Sequence, residues 1–194
     1  MNRVKPTLDH GTTDAQLVER VRRGDAAGFD ALVRRHYRAA YVVALSLLGD
    51  QMDAEDVCQD GFIKALERID DCRKPDRFAS WLLQIVRNRA HNFRDYRRVR
   101  TGVPLEVTDR AGRADSAREV EQNELRDRLQ DALGDLSEVQ RQVVSLHDLE
   151  GWRHHEIAES LGLSEGMSRQ HLFTARKGLR EKLGAKVLKE YLHE

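Results

Sequence analysis

The sequence predicts an all-α protein made of two small helical domains joined by a flexible linker. Two blocks of the chain carry apolar residues at three- and four-residue spacing, which is the pattern of amphipathic helices. Between the blocks, residues 101–116 lose this periodicity and scatter glycine, proline and charged residues, as linkers do. No stretch alternates apolar and polar residues in the manner of a β-strand.

The first block opens with two predicted helices. Thr13 and Gln16 have the spacing of a capping box, which predicts a short helix that ends at Gly24. A longer helix follows and is expected to stop at Gly49, since glycine readily takes the left-handed turn that ends helices. Its apolar face is formed by Phe29, Leu32, Val33, Tyr37, Ala40, Tyr41, Ala44, Leu47 and Leu48.

Two further helices complete the first block. Asp53 is expected to cap the third helix, which carries Val57, Phe62 and Ile69. Residues 70–76 contain Pro75 and are predicted to form a loop. A fourth helix then runs into a cluster of arginines, and its apolar residues are Phe78, Trp81, Leu82, Ile85, Val86, Ala90 and Phe93.

The second block predicts a helix-turn-helix preceded by other helices. Ser137 and Gln140 form a second capping box after a helical stretch that includes Leu125, Leu129 and Leu136. A break is expected at Glu150-Gly151. A short helix with Ile157, Ala158 and Leu161 then ends at Gly162, and Ser164 is placed to cap the last helix.

Composition excludes several classes of protein. The 194 residues are 40% hydrophobic and 34% charged, and no apolar run is long enough to span a membrane. The N-terminus lacks the apolar core of a signal peptide, so a cytoplasmic protein without membrane insertion is expected. Cys58 and Cys72 are the only cysteines, and both are expected to be reduced, ordinary residues.

The zero net charge is a cancellation between separate blocks. Residues 50–76 are mainly acidic, whereas residues 87–100 and 169–189 are mainly basic. Because local fields rather than total charge attract partners, the two basic segments remain candidates for nucleic-acid binding.

The helix-turn-helix predicts contacts with duplex DNA. Ala158 and Gly162 supply the small residue and the glycine that the sharp turn requires. The last helix would then present Arg169, Gln170 and His171 to base edges, while Arg176 and Lys177 would bind phosphates. The alternative is a small helical bundle with a solvated basic helix.

One position in this helix departs from the usual pattern. Ser168 stands where such helices place an apolar residue against their partner. The neighbouring Met167 is therefore expected to take over that contact, with a small rotation of the helix.

Two segments of the first block suggest further binding surfaces. Phe78 and Trp81 could offer flat faces to unstacked bases, followed by arginines that track phosphates, although a buried role for Trp81 is the stronger alternative. Asn88 could contact a base or only cap a carbonyl. The acidic helix of residues 53–60 could dock a basic protein surface, or simply be solvated.

The motifs AEDVCQDGFIKALE, FASWLLQIVRN and LSEVQRQVVSLHDLEGWRHHEIAESLGLSEG occur in this order. Their order resembles that of bacterial RNA polymerase sigma factors of the extracytoplasmic-function (ECF) type, in the sigma-70 family. The resemblance covers residues 26–183. It implies an N-terminal extension with a first short helix (1–24), a sigma region 2 helical bundle (25–100), an acidic linker (101–124) and a region 4 helix-turn-helix domain (125–194).

The resemblance also implies a role for individual residues. Core polymerase would be bound by Asp53, Glu55, Asp56 and Gln59. The melted −10 element would be bound by Lys74, Arg77, Ser80, Trp81, Asn88 and Arg89. The −35 element would be bound by Ser164, Arg169, Gln170, His171, Phe173, Arg176 and Lys177.

The implied partners are promoter DNA and core RNA polymerase, through the clamp helices of its largest subunit and its flap region. The linker would run toward the RNA exit path, where its acids (Glu106, Asp109, Asp115, Glu119 and Glu121) could mimic nucleic-acid charge. Many family members are held inactive by an anti-sigma factor, but nothing in this sequence identifies one. Leu136-Ser137, Gly166-Met167-Ser168 and Thr174 depart from the family pattern, which leaves the individual −35 contacts open.

Two other classes of function remain as alternatives. A stand-alone helix-turn-helix regulator would use the first block for dimerisation or sensing. An enzyme would need a catalytic motif, but the HExxH pattern that begins at His155 has Glu159 in place of its second histidine. No catalytic residue, metal site or cofactor is therefore predicted.

Overall fold

The computed structural model describes residues 11–101, 128–129 and 131–184, and the regular elements in those ranges are all helical. The N-terminal lobe contains α1 (Asp14–Arg22), α2 (Ala26–Leu48), α3 (Gln51–Glu67), two 3-10 turns (Ile69–Asp71 and Pro75–Arg77) and α4 (Phe78–Thr101). The C-terminal lobe contains helical residues 131–134, α5 (Glu138–Val144), a π turn (Ser145–Leu149), α6 (His154–Leu161) and α7 (Glu165–Leu183). The all-α prediction is confirmed, and the predicted linker lies outside the described residues except for Thr101, which ends α4.

Local signals in the sequence set most of the helix ends. At Thr13, the predicted capping box forms, with the backbone N–H of Thr13 donating to Gln16 Oε1 at 2.8 Å. Ser137 begins α5 with the second capping box. Gly49 and Gly162 end their helices at φ values of 73° and 70°, in the left-handed region that favours glycine.

The predicted cap of the third helix is wrong. Asp50 caps α3, because its carboxylate accepts a hydrogen bond from the backbone N–H of Asp53 at 2.9 Å. The chain enters the helix directly after the left-handed Gly49, so α3 begins one turn earlier than the apolar pattern suggests. Asp53 therefore lies within the first turn of α3.

The core of the N-terminal lobe lies where α2, α3 and α4 pack together. Leu32, Val43, Phe78 and Leu82 have no exposed surface. Gly61 allows α3 and α4 to cross closely, since a Cβ atom added there would stand 2.6 Å from Val86 Cγ2. The smaller core of the C-terminal lobe is formed by Val143, Leu146, Ile157, Leu161, Leu172, Ala175, Leu179 and Leu183.

The two cysteines are buried and free of disulfide bonds. Burial raises the pKa of the Cys58 thiol to about 12 and also raises the pKa of Cys72. Both side chains are therefore protonated thiols near neutral pH. Among the described residues, no helix is both long and apolar enough to cross a membrane.

Several polar contacts join the two lobes, whose buried apolar residues belong to one continuous cluster. Glu138 at the start of α5 pairs with Arg94 of α4 at 3.0 Å and lies 3.3 Å from His91 Nε2. Arg141 donates from Nε to the carbonyl of Ser46 in α2 at 2.9 Å. A further ion pair joins Arg38 of α2 to Glu150, after the π turn, at 3.4 Å.

One buried polar group on α5 has no hydrogen-bond partner. The Gln142 side chain is 1% exposed, and both its Oε1 and its Nε2 atoms lack partners among the described residues. Gln142 lies one helical turn after Glu138, which pairs with Arg94 of the N-terminal lobe, so the two residues share one side of α5.

Candidate nucleic-acid and polymerase interfaces

A cleft of about 410 Å³ opens between the lobes. We call it the interlobe cleft. Its N-terminal side consists of the two short turns and the start of α4, and its C-terminal side consists of α6. Its lining residues are Asp71, Cys72, Arg73, Lys74, Arg77, Ser80, Trp81, Gln84, Glu159 and Ser160.

The interlobe cleft brings together four of the six residues predicted to bind the −10 element. These are Lys74, Arg77, Ser80 and Trp81. The other two, Asn88 and Arg89, are exposed further along α4, outside the cleft lining. Arg89 forms an ion pair with Asp60 of α3.

An acidic side chain of the C-terminal lobe already occupies part of the cleft. Glu159 of α6 pairs with Arg77, whose side chain is half exposed. A carboxylate is the protein group that most resembles a phosphate oxygen in charge and hydrogen bonding. Glu159 therefore supplies Arg77 with an anionic partner inside the cleft.

The two aromatic residues at the start of α4 differ in exposure. Trp81 is partly buried, packs against the core and also lines the interlobe cleft. Phe78 is fully buried, with its ring centroid 5.9 Å from that of Trp81. The expectation that Phe78 could offer a face to a base is therefore wrong, because the ring fills the core beneath Trp81.

The arginines of α4 are largely held by acids of other helices. Arg97 pairs with Asp53 of α3 and lies 6.0 Å from the centroid of the Phe93 ring. Arg94 pairs with Glu138 across the lobes. Sequence reasoning missed these pairs, because each joins residues 44 positions apart.

The outer face of α3 presents acidic and apolar side chains together. Glu55, Asp56 and Gln59 are exposed, as docking to polymerase would require. Helical spacing places three exposed apolar side chains on the same face: Met52, Ile63 and Leu66, which are 78%, 57% and 45% exposed. We call these six residues the α3 outer face. The sequence prediction included its polar residues but missed its apolar ones.

Asp53 is not part of the α3 outer face. It is turned toward α4, where it pairs with Arg97. Burial raises the pKa of Asp53, and the nearby carboxylates of Asp50 and Asp56 add to this effect against the opposing charge of Arg97.

The last helix, α7, carries the predicted −35 residues at different exposures. Helical spacing puts Gln170, Phe173 and Lys177 on one exposed stripe, with Phe173 71% exposed. Arg169 is exposed and pairs with Glu165 in the same helix. Ser164 uses its hydroxyl to accept a hydrogen bond from the backbone N–H of Met167 at 3.1 Å, and His171 lies at the edge, partly buried.

The surroundings of Ser168 differ from the prediction. Ser168 has no exposed surface, and its hydroxyl lies 3.0 Å from His154 Nδ1 of α6. Met167 is 47% exposed, so the expectation that it replaces the apolar contact is wrong. A polar pair between α6 and α7 takes the place of the apolar one, which the sequence pattern of α7 alone could not show.

A chain of polar contacts continues from this pair. The rings of His147 and His154 lie 4.8 Å apart, and His147 Nδ1 is 2.8 Å from Asp148 Oδ1. Asp148 also binds Arg176 of α7. Burial lowers the pKa of His154, and the neighbouring charges of His147 and Arg169 lower it further, so the neutral ring is favoured.

Comparison with known proteins gives a consistent result. Residues 32–100 match the family model for sigma-70 region 2, and residues 126–179 match that for sigma-70 region 4. The RNA polymerase sigma-H factor of Pseudomonas aeruginosa is 30% identical over 86% of this chain and 91% of its own length. The ECF RNA polymerase sigma factor SigL of Mycobacterium tuberculosis is 34% identical over 80% of this chain and 89% of its own.

Two solved structures share the fold. CnrH, determined in complex with the cytosolic domain of CnrY, has a TM-score of 0.67 and 29% identity, and the match covers 90% of this chain and 99% of CnrH. The sigma factor RpoE of Bartonella quintana, solved with the anti-sigma factor NepR, has a TM-score of 0.64 and 24% identity over 81% of this chain and 97% of RpoE.

Proposed function

Because this chain belongs to the sigma-70 family of RNA polymerase sigma factors, in its ECF group, it directs core RNA polymerase to promoters, and we propose which surfaces do so. The α3 outer face binds core polymerase, the N-terminal side of the interlobe cleft binds the melted −10 element, and the exposed stripe of α7 reads the −35 element. Sigma factors are regulatory proteins, and this one would act in the cytoplasm, where the polymerase is. The observation that carries the proposal is the convergence of Lys74, Arg77, Ser80 and Trp81 in one cleft.

The composition of the interlobe cleft suits single-stranded DNA. Proteins bind unpaired bases by stacking them on aromatic rings while cations contact the backbone. Trp81 supplies the ring, and Arg73, Lys74 and Arg77 supply the cations. Ser80 and Gln84 add side chains that can hydrogen-bond to a base edge.

The exposed stripe of α7 suits duplex DNA in the major groove. Gln170 can pair with adenine, and Phe173 can pack against a thymine methyl group. Lys177 lies one turn further along and can bind a phosphate, as can Arg169 beside the stripe. Ser164 would contribute through the position of the N-terminus of α7, since its hydroxyl already caps the helix.

The α3 outer face suits a partner that is basic and partly apolar. Glu55 and Asp56 provide charge, whereas Met52, Ile63 and Leu66 provide apolar contact area. By resemblance to the family, that partner is the pair of clamp helices in the largest polymerase subunit, and the C-terminal lobe binds the flap region. Asp53 would support this surface from behind by fixing α4 against α3.

Simultaneous binding of both promoter elements requires the lobes to separate. Elements centred at −10 and −35 are about 25 base pairs apart, which is about 85 Å along the duplex. A lobe of this size is only about 25–30 Å across. In the packed arrangement described above, α6 also forms one side of the interlobe cleft. Residues 102–127 would reach about 85 Å if fully extended. The packed arrangement of the lobes is therefore a state of the free protein, or of a complex with an anti-sigma factor as in the RpoE structure.

Transcription with purified components tests the proposal. Wild-type protein with core polymerase is expected to select promoters from a random library, whereas Asp56→Arg combined with Gln59→Arg should lose polymerase binding. Asp30→Arg, a charge reversal at an exposed position of α2, is the control and should have no effect on polymerase binding. A stand-alone regulator would tolerate both changes and bind duplex DNA tightly without polymerase, which would refute the proposal.

A further inference from the structure

Asp148 is a buried carboxylate at the back of the helix-turn-helix. It lies in the π turn that extends α5, and its side chain is only 3% exposed. Neither the predicted polymerase-binding residues nor the predicted DNA-binding residues include it. A carboxylate this buried requires strong hydrogen-bond partners, because its desolvation is costly.

Arg176 of α7 is the main partner of Asp148. Its Nη2 donates to Oδ1 at 2.6 Å and its Nε donates to Oδ2 at 3.1 Å. Two parallel bonds of this kind fix the plane of a guanidinium group as well as its position. His147 Nδ1, at 2.8 Å from Oδ1, adds a third contact to the same carboxylate.

Arg176 stands at the edge of the exposed stripe of α7. It is one turn from Phe173 and next to Lys177, and about a third of its side chain (32%) is exposed. One edge of the guanidinium group, formed by Nε and Nη2, therefore faces inward to Asp148, and the group lies beside the surface proposed to enter the major groove. An arginine in this place can bind a DNA phosphate only in the orientation that Asp148 allows.

We propose that Asp148 is a positioning residue for −35 recognition: it holds Arg176 in the orientation that contacts a backbone phosphate. The inference rests on the proposed role of α7 in reading the −35 element. The π turn has a part in this arrangement, because it brings Asp148 beneath α7 immediately before the chain turns toward α6. Local π turns of this kind often occur at functional sites.

A purely structural role for Asp148 would give a different pattern of effects. A tie between the π turn and α7 would affect stability and every activity of the C-terminal lobe alike. A positioning role affects only promoters that need the −35 element, and it acts only while Arg176 is present. A double-mutant cycle separates these two cases.

The experiment compares Asp148→Asn, Arg176→Ala and the double variant as full-length chains with core polymerase. One template carries both promoter elements as duplex, and the other has a pre-melted −10 region and no −35 element. On the duplex template, Asp148→Asn is expected to reduce open-complex formation about 5- to 20-fold. It should have less than about a twofold further effect when Arg176 is already alanine.

Salt dependence gives a second measure. The slope of log affinity against log salt should fall by about one for Arg176→Ala and also for Asp148→Asn, because each loses the same phosphate contact. Asp135→Asn removes an exposed ion pair with Lys182 in the same lobe and is the matched control, with no change expected. Thermal unfolding of each variant shows whether the lobe remains folded.

The outcomes decide the proposal. Equal losses on both templates, or a full loss from Asp148→Asn in the Arg176→Ala background, would overturn it. If Asp148→Asn does not fold, Arg176→Lys provides the test, because lysine keeps the charge beside Asp148 but cannot form the paired bonds. Full −35-dependent activity of Arg176→Lys would count against a positioning role for Asp148. A wild-type protein indifferent to the −35 element would instead refute the proposed function of α7.

Discussion

The two surfaces proposed to bind DNA differ in how accessible they are when the lobes are packed together. In the interlobe cleft, Arg77 is already paired with Glu159 of the other lobe. On the exposed stripe of α7, Phe173 and Gln170 face outward, and Arg176 beside the stripe pairs with Asp148 of the same lobe. The proposed −35 surface is therefore open to solvent, whereas the proposed −10 surface is partly covered by the other lobe.

The largest effects should come from the aromatic residue of each surface. Trp81→Ala is expected to weaken binding of a pre-melted −10 template by about 1–3 kcal/mol, because it removes a stacking surface. Phe173→Ala should leave that template unaffected and weaken −35-dependent binding by about 1 kcal/mol or more, through loss of a methyl contact. Open-complex formation by polymerase on the two templates measures both effects.

Trp81→Phe is the control for the first change and should recover much of the lost binding, since it restores an aromatic ring. If Trp81→Ala and Phe173→Ala weaken binding to both templates equally, the assignment of one promoter element to each surface is wrong.

Two helical glycines should respond in opposite ways to the same substitution. Gly61→Ala places a Cβ atom 2.6 Å from the branched Val86 side chain, so we expect a loss of about 1–3 kcal/mol in the free energy of unfolding. At Gly178 of α7, a Cβ atom meets only Leu136 Cδ2 at an ordinary 3.5 Å, and alanine should stabilise by about 0.5–1 kcal/mol. Urea unfolding measures both changes, and stabilisation by Gly61→Ala would show that α3 and α4 can move apart at little cost.

The lobes should also differ in their sensitivity to acid. The pKa of His154 is lowered in the folded C-terminal lobe, mainly by burial, so the unfolded chain binds a proton more readily. The free energy of unfolding of this lobe should therefore fall as the pH drops below about 6.5. In the N-terminal lobe, burial opposes the ionisation of Asp14, but the pairing with His36 and Arg35 outweighs burial and lowers the pKa of this carboxyl. The stability that ionised Asp14 provides is therefore lost only as the pH falls below about 3.8.

The only two tryptophans allow this difference to be measured, because Trp81 lies in the N-terminal lobe and Trp152 in the C-terminal lobe. Single-tryptophan variants should show the Trp152 transition moving to lower temperature between pH 7 and 5 while the Trp81 transition stays in place. His154→Gln should reduce the shift. Two transitions that move together would mean that the lobes unfold as one unit.

The smallest effect concerns the ion pair that crosses the cleft. Glu159→Gln removes a partly exposed pairing with Arg77, and such pairs contribute about 0.2–1 kcal/mol. The free protein should then bind a single-stranded −10 oligonucleotide about two- to fivefold more tightly, as measured by fluorescence anisotropy. Glu181→Gln, on exposed α7, is the control; unchanged affinity in Glu159→Gln would show that the pair does not compete with DNA.

Features that depend on neighbouring residues could be predicted from the sequence, whereas features that depend on distant ones could not. The capping boxes at Thr13 and Ser137 and the helix stops at Gly49 and Gly162 are local, and all four are confirmed. Asp53 was misassigned as a cap because the position of Asp50 after Gly49 outweighs the apolar pattern.

The candidate sites follow the same rule. Family motifs identified Trp81 and Arg77, but not the α6 carboxylate that faces Arg77 from 82 positions away. The burial of Ser168 depends on His154, whose Nδ1 lies beside the serine hydroxyl. In each case the missing information was the partner that satisfies a polar group, which no periodicity encodes.

Gln142, whose amide has no hydrogen-bond partner among the described residues, bears on how stably the two lobes pack together. A buried amide with no partner costs about 1–3 kcal/mol, and the cost disappears when water reaches the side chain. This cost would lower the stability of the packed lobes relative to separated lobes in which Gln142 is hydrated. Gln142→Leu should therefore increase the stability of the packed lobes. The variant should also be activated less readily, because separating the lobes would then break a well-packed apolar contact.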